Sequence, residues 1–388
     1  MALLRARRDA PEVFGAGKRP LRGRFTALAG ILLVASSARE AVSAASPLLG
    51  RIGTDLPFDA LTTGILGMLP TASFAVVGFA ALPLLRRLQL EHLLVIAILL
   101  TTLGQLGRAV GWNVLAFLVF TCVAMLGIGL VNVVAPPLLA KYFPDRIGLL
   151  AAIHVTLLGV STAVAAQFAI PLGALYGWRF SIGIWAALSA LAAVPWLILV
   201  VARRTVARSG NDAAEGRQLP SAKGARPWRS AIGWGTALVF AGCSSNTFAA
   251  LTWLPAVLVD RGMSQETAGS MLALSASAAF WVVTAGLGQG AYSFAFIMIN
   301  KRTRTQSGSG SLSAFSQGTG YALASVGPFL FALLHTPGDG WLPSFGMLGV
   351  WLLVLVAGAI MVNKPRMLED QGRFQAGTEQ NTFLDSPS

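Results

Sequence analysis

Val114-Leu-Ala-Phe-Leu-Val-Phe-Thr-Cys122-Val-Ala-Met-Leu-Gly127-Ile-Gly129-Leu-Val-Asn132-Val-Val-Ala-Pro136-Pro-Leu-Leu-Ala140 contains no charged residue and only two strongly polar ones. A helix needs about 20 such residues to cross ~30 Å of hydrocarbon, and this run exceeds that length. Working outward, nine further apolar runs follow the same rule. Together the ten predicted spans are 25–50, 60–85, 93–111, 114–140, 147–173, 180–202, 231–257, 271–299, 312–335 and 343–362. With 55% hydrophobic and 12% charged residues in 388, the chain has too little polar surface for a water-soluble domain. The reading is an all-α polytopic membrane protein.

The first run follows a basic stretch (Arg5, Arg7, Arg8, Lys18, Arg19, Arg22, Arg24). It is too long for a signal-peptide core and leads into further spans. The formal charge of +13 invites a nucleic-acid reading. The basic residues are instead gathered in short clusters between spans, where they orient the chain in the bilayer. One side collects Arg86, Arg87, Lys141, Arg146, the cluster from Arg203 to Arg229, Lys301, Arg302, Arg304, Lys364, Arg366 and Arg373; the other keeps Arg51, Arg108, Arg179 and Arg261. The positive-inside rule puts both termini in the cytoplasm of a multi-pass inner-membrane protein. Low lysine relative to arginine and high alanine point to a bacterium with GC-rich DNA. Residues 1–24 form a basic cytoplasmic segment, 25–202 a six-span bundle, 203–230 a cytoplasmic linker, 231–362 an incomplete second bundle, and 363–388 a disordered polar tail.

The sequence carries traces of duplication. Pro47-Leu-Leu-Gly…Leu61-Thr-Thr-Gly64 after the first span is matched by Pro255-Ala-Val-Leu…Glu266-Thr-Ala-Gly269 after the seventh, 208 positions on. Gly127-Ile-Gly129 and Gly286-Leu-Gly288 are 159 apart, and Pro171 and Pro328 are 157 apart. A drop of 49 residues in the offset is about two crossings with their turns. The simplest design is a twelve-span chain that lost most of its eighth span and its ninth. Run 271–299 then joins a remnant of the eighth to the tenth; wholly helical, it would measure ~43 Å and must tilt, break or project.

Four stretches carry a resemblance to a family. They are Arg39-Glu-Ala-Val-Ser-Ala-Ala-Ser-Pro47-Leu-Leu, Gly127-Ile-Gly129-Leu-Val-Asn132-Val-Val-Ala-Pro136 with Phe143-Pro-Asp-Arg146-Ile-Gly148, Trp253-Leu-Pro255…Asp260-Arg-Gly262-Met-Ser264, and Gly286-Leu-Gly288-Gln-Gly290 with Gly318-Thr-Gly-Tyr321…Gly327-Pro328. The chain resembles the cyanate and 2-nitroimidazole transporter family of the major facilitator superfamily over residues 25–362, apart from the gap. Glu40 stands where that family usually has proline, and His154 where tyrosine is common. After the second span Arg86 and Arg87 lack the acidic partner of the wider gating motif. The resemblance implies a major facilitator fold, two bundles around a central cavity, and secondary transport of cyanate-like anions or nitroheterocycles.

The candidate substrate-binding residues are Arg39, Asn132, His154, Ser244, Asn246, Trp253, Gln289, Gln317 and Tyr321. A charge inside hydrocarbon costs several kcal/mol and commonly faces a cavity. Arg39, near the middle of the first span, offers a planar fork to an anion, or pairs with an acid, or snorkels. Glu40 is turned away by roughly 100° and is read as a proton-coupling carboxylate or a packing acid. His154 is a second coupling candidate, or a neutral packing group. Asn132 holds substrate or bridges helices. Ser244, Asn246 and Trp253 supply polar points and an aromatic wall in the seventh span. Gln289, Gln317 and Tyr321 contact ligand or join helices.

Several chemistries drop out. Gly127-x-Gly129 lies inside a span without a dinucleotide-site context, and there is no phosphate loop for ATP. The three histidines and scattered carboxylates do not form a metal or hydrolase constellation. Cys122 and Cys243 lack metal spacing and read as packed thiols. The expectation is a carrier without enzymatic activity or cofactor, monomeric or homodimeric, with lipid and a small solute as partners and no nucleic acid. The alternative is a truncated, transport-incompetent membrane protein serving as a scaffold or without function.

Overall fold

The computed structural model describes residues 24–58, 60–208, 226–260, 262, 291–334, 340–363 and 366–370. Among them every regular element is a helix. The first crossing is broken into α1 (Phe25–Ser36), α2 (Glu40–Ser43), a 3-10 turn (Ser46–Leu48) and α3 (Leu49–Asp55). Next come α4 (Ala60–Arg87), α5 (Leu90–Val110), α6 (Val114–Tyr142), α7 (Ile147–Tyr176), α8 (Trp178–Gly183) and α9 (Trp185–Arg208), which complete the first half. The second half holds α10 (Ala231–Asp260), α11 (291–301), α12 (Gln306–Ala324), α13 (Val326–Leu333) and α14 (Leu342–Asn363).

Eight of these crossings are long and apolar enough to span a bilayer among the described residues, where the sequence reading expects ten. The ninth, α12–α13, starts at Gln306 rather than at 312 and is too rich in serine and glycine to qualify by hydropathy. Its polar side chains Ser309, Ser311, Ser313, Ser316 and Gln317 are buried, so protein rather than lipid covers them. Most of the expected run 271–299, including Gln289, lies outside the described residues, as do the linker from 209 to 225 and the tail beyond 370. The tail residues next to α14 are ordered: Leu368 is buried, its N–H donates to the Arg302 carbonyl, and the Glu369 carboxylate accepts from the Arg304 and Thr305 N–H groups.

The break in the first crossing has a local cause. Ser36 and Ser37 turn their hydroxyls back onto the carbonyls of Leu32 and Val34, competing with the helical ladder. Pro47 then sits in the first positions of the 3-10 turn, where its missing N–H costs no ladder bond. Between these points Arg39 and Glu40 lie at mid-crossing on a short, separate turn.

Alternation of direction places one set of helix ends at a basic end and the other at a tryptophan end. At the basic end Arg24 bonds Asp145 at 2.9 Å and stacks on Phe143, while Lys141 pairs with Glu91 at 2.8 Å. The Arg24 guanidinium holds the Asp145 carboxyl below the usual carboxylate range. At the tryptophan end each half carries the same lock. The indole N–H of Trp178 donates to Asp55 at 2.8 Å, and that of Trp341 to Asp260 at 3.1 Å. One turn on, the Ser181 hydroxyl donates to the Ala169 carbonyl and the Ser344 hydroxyl to the Phe331 carbonyl, both at 2.8 Å. The Trp-x-x-Ser at the start of the last span thus fastens the first span of its half and the span just before the last, and this repeat is easily missed in the sequence because only two of its four residues are fixed.

Contacts within each half run through glycines. Gly104 and Gly127 let α5 and α6 approach backbone to backbone, and Gly235, Gly242 and Gly358 do the same for α10 and α14. Between the halves, Gly78 of α4 lies directly against the backbone of Gly318 in α12.

Candidate functional site

The broken turn carries Arg39 out of the first half and against the second. Its guanidinium is 3% exposed and lies 5.3 Å from the ring centroids of both Phe248 (α10) and Tyr292 (α11). A cation between two aromatic faces is held by their quadrupoles, at about 0.5–2 kcal/mol per ring. Among the described residues no carboxylate makes a salt bridge with it. Tyr292 shares a 2.8 Å hydrogen bond with Ser244.

Around this pair the two halves contribute a continuous aromatic wall. Phe74 of α4 meets Phe248 at 5.8 Å and Tyr321 at 5.0 Å. Phe240 of α10 touches Tyr292, Phe296 and Tyr321 at 5.9–6.1 Å. On the opposite flank, His154 of α7 has its ring 5.8 Å from Phe296. It is 1% exposed, and among the described residues neither ring nitrogen has a hydrogen-bond partner.

Of the nine sequence-chosen residues, Arg39, His154, Ser244 and Tyr321 converge here. Gln317 and Asn132 lie together nearer the basic end: the Gln317 amide donates to the Asn132 carbonyl at 3.0 Å and to Ser313 at 2.9 Å. This is a joint between halves. Asn246 turns back to the Gly242 carbonyl of its own helix. Trp253 donates to the Pro328 carbonyl and packs 6.4 Å from Trp341, in the cluster at the tryptophan end. Neither is part of the central wall. Arg108, read in sequence as an outer-side charge, is 1% exposed inside α5; it donates to the Ala41 carbonyl at 2.6 Å and stacks on Phe117.

Glu40 faces the other way, into its own bundle. Its carboxylate accepts from the Ser189 hydroxyl at 3.3 Å, the Ser161 hydroxyl at 3.5 Å and the Arg39 N–H at 3.1 Å. The sequence reading missed Tyr292, Phe74, Phe240, Phe248 and Phe296. Tyr292 had a signal, because the chain has only four tyrosines and this one interrupts an apolar run. The phenylalanines had none, since a core ring and a site ring are spelled alike.

Hydrogen bonds join the two halves on both sides of the site. Among the described residues, the hydrogen bonds between halves are Gln317 to Asn132, Ser313 to the Val133 carbonyl at 3.0 Å, and Ser46 to the Leu251 carbonyl at 3.1 Å. The first two lie on the basic side of Arg39 and the third on the tryptophan side. Each joins an uncharged donor to a backbone carbonyl and is worth about 0.5–1.5 kcal/mol, little enough to exchange. Among the described residues no group of three His, Cys, Asp or Glu side chains is placed to hold a metal ion.

Comparison with known proteins adds three findings. Residues 28–315 match the Major Facilitator Superfamily. The chain is 25% identical to the uncharacterized transporter YycB of Bacillus subtilis (strain 168), over 92% of this chain and 97% of that one; it is 26% identical to the 2-nitroimidazole transporter of Escherichia coli (strain K12), over 86% and 94%. The fold is similar to the crystal structure of a D-xylose-proton symporter, with a TM-score of 0.60 at 12% identity, covering 91% of this chain and 99% of that one.

Proposed function

The chain belongs to the Major Facilitator Superfamily, a family of membrane carriers rather than enzymes, and from that premise we propose that it moves a small planar anion or nitroheterocycle by alternating access. The observation that carries the solute class is Arg39, buried at mid-membrane between Phe248 and Tyr292 without a carboxylate partner among the described residues. Its fork can donate two N–H groups to a nitro group or to an anion, and the flanking rings suit a flat solute. His154, whose ring nitrogens have no partner among the described residues, flanks the aromatic wall at Phe296. The relative that transports 2-nitroimidazole supports the same class. Because both halves line the site, exchanging the light joints on either side exposes it alternately. We place both termini in the cytoplasm of a bacterial inner membrane, from the basic residues gathered at one end.

We also propose that the second half is a shortened copy of the first, missing about two crossings. The locks support this: Asp55 and Asp260 are 205 positions apart, whereas Trp178 and Trp341 are 163 apart. The alignment with the Bacillus relative runs over 407 residues while taking in 92% of this 388-residue chain, so about 50 aligned positions face no residue here.

The test is thermal unfolding of the purified chain with 2-nitroimidazole and with cyanate, beside Arg39→Ala. A solute at a hundred times its dissociation constant should add about 2.7 kcal/mol to the wild type and nothing to the variant. Equal shifts in both proteins would remove Arg39 from the site. Binding without flux in liposomes would return the chain to the transport-incompetent reading.

A further inference from the structure

Arg108 is a buried cation that the aromatic wall does not use. It lies in the last turn of α5, and its guanidinium points into the first half. One Nη donates to the Ala41 carbonyl at 2.6 Å, and Cζ lies 5.3 Å from the Phe117 ring centroid. Among the described residues no carboxylate makes a salt bridge with it, and Nε and the second Nη have no hydrogen-bond partner. Burying a guanidinium with so little pairing costs stability, so packing alone does not account for an arginine here.

The acceptor explains it. Ala41 belongs to α2, the four-residue turn that follows Arg39. A turn that short leaves its last carbonyls without ladder partners. The serine hydroxyls at Ser36 and Ser37 and the 3-10 turn at Pro47 also cut it off from α1 and α3. Side chains hold it instead. At its N-terminal end the Glu40 carboxylate accepts the Arg39 N–H at 3.1 Å and is anchored on Ser161 of α7 and Ser189 of α9. Further along, Arg108 takes the Ala41 carbonyl. An acid at the start and a base toward the end are the signs that the ends of a helical turn favour. Arg108 itself stands on a firm body. Gly104 brings α5 against the α6 backbone at Ala124, Gly107 lies against the Phe120 ring, and Asn113 caps α6 by accepting from the Ala116 N–H at 2.7 Å.

We propose that Arg108 is a positioning residue for the solute site. By tying the Ala41 carbonyl to the α5–α6 hairpin, it sets how far Arg39 projects between Phe248 and Tyr292. Arg108 does not touch the solute; it acts from behind the turn, through two residues of backbone. A charge-assisted bond suits that task, because it holds a carbonyl more firmly than a neutral donor does. The solute part of the proposal rests on the transport reading; the placement of Arg39 does not.

Magnetic resonance of the full-length protein in lipid, with isotopic nitrogen in its arginines, reads that placement without any solute. The two rings beside Arg39 shift its guanidinium N–H signals away from those of other arginines, and their absence from Arg39→Ala identifies them. In Arg108→Met these signals should move toward the ordinary range, and Arg108→Lys should restore part of the shift. Unmoved signals would overturn the proposal. So would a fall in thermal stability with the signals in place, which marks Arg108 as packing alone. Should Arg108→Met fail to fold, Phe117→Leu keeps the charge and loosens the guanidinium. A smaller move of the same signals is then expected, and none overturns the assignment. In a second arm, 2-nitroimidazole should bind Arg108→Met about tenfold more weakly than the wild type, the factor that one charge-assisted hydrogen bond supplies. Equal affinity would overturn the solute part. A wild type that binds neither 2-nitroimidazole nor cyanate would strike the transport reading and leave the signals to decide the placement.

Discussion

The two halves solve one packing problem with unequal means. In the first half the last span, α9, buries Ala186, Ser189, Ala192, Ala193 and Trp196 along one face. In the second, α14 fully buries only Ser344, Gly358 and Val362, with Met347, Leu348, Leu355 and Ala359 half-buried against its neighbours. The first half joins its first and last spans by seating the Trp196 indole over Gly30; the second brings α10 and α14 together at Gly235, Gly242 and Gly358, where backbone faces backbone. Among the described residues, the second half thus joins its first and last spans by closeness rather than by side-chain volume. The tryptophan lock is present in both halves.

That contrast can be pressed hardest at the locks. Trp341 also packs against Phe331 at 5.6 Å and near Trp253, in one cluster at the tryptophan end of α10 and α14. Trp341→Ala should cost about 3–5 kcal/mol of resistance to unfolding in detergent. Trp178→Ala should cost less, because the better-buried α9 still holds its half together. Equal losses would mean that the two halves do not differ in their reserve of packing.

A smaller effect is expected at the glycines. An added methyl at Gly358 meets the Gly235 carbonyl oxygen at 2.6 Å and the Val239 nitrogen at 2.8 Å, atoms of a helix backbone that cannot yield alone. At Gly30 it meets the Trp196 side chain at 2.7 Å, which can shift. Gly358→Ala should therefore lower stability by about 1–3 kcal/mol and Gly30→Ala by less, read from thermal unfolding of the two variants. The reverse order would show that the Trp196 indole is the more rigid wall.

The smallest effect concerns the basic end of the first half. Asp145 is held below its ordinary pKa by Arg24, so it favours the folded state at neutral pH. That contribution disappears as pH falls through the folded-state value. Asp145→Asn should unfold slightly sooner at neutral pH and lose less on acidification than the wild type. If the two proteins follow the same pH profile, the Arg24 pair contributes nothing measurable to the first half.

Much of the fold was legible because a bilayer leaves so few choices. Long uncharged runs such as 114–140 can only be helices, and α6 covers that run from Val114 to Tyr142. The α12–α13 crossing was harder to delimit. Its serines and Gln317 look soluble to a hydropathy reading, yet they face other helices. Among the candidate residues, Arg39 and His154 stood out in the sequence because a charge or an imidazole at mid-span is expensive and therefore conspicuous, and both lie buried beside the aromatic wall. Trp253 and Asn246 misled for the opposite reason. A tryptophan or an amide can satisfy itself on a nearby carbonyl, as both do, and nothing in the sequence says which carbonyl will be in reach.

The sequence by itself determined that this chain crosses a membrane many times as helices, which end gathers the basic residues, and that one arginine is stranded at mid-membrane. These follow from composition and period, properties each segment has before it meets any other. Only the tertiary structure decided that Arg39 and Glu40, adjacent in sequence, face opposite ways, and that Phe248 and Tyr292 from distant helices enclose the arginine. It alone paired Trp178 with Asp55 and Trp341 with Asp260. The physical reason is that a helix fixes the direction of its side chains only relative to its own axis. What those side chains meet depends on how neighbouring helices rotate and approach, which the glycine contacts and the break after Ser37 settle jointly.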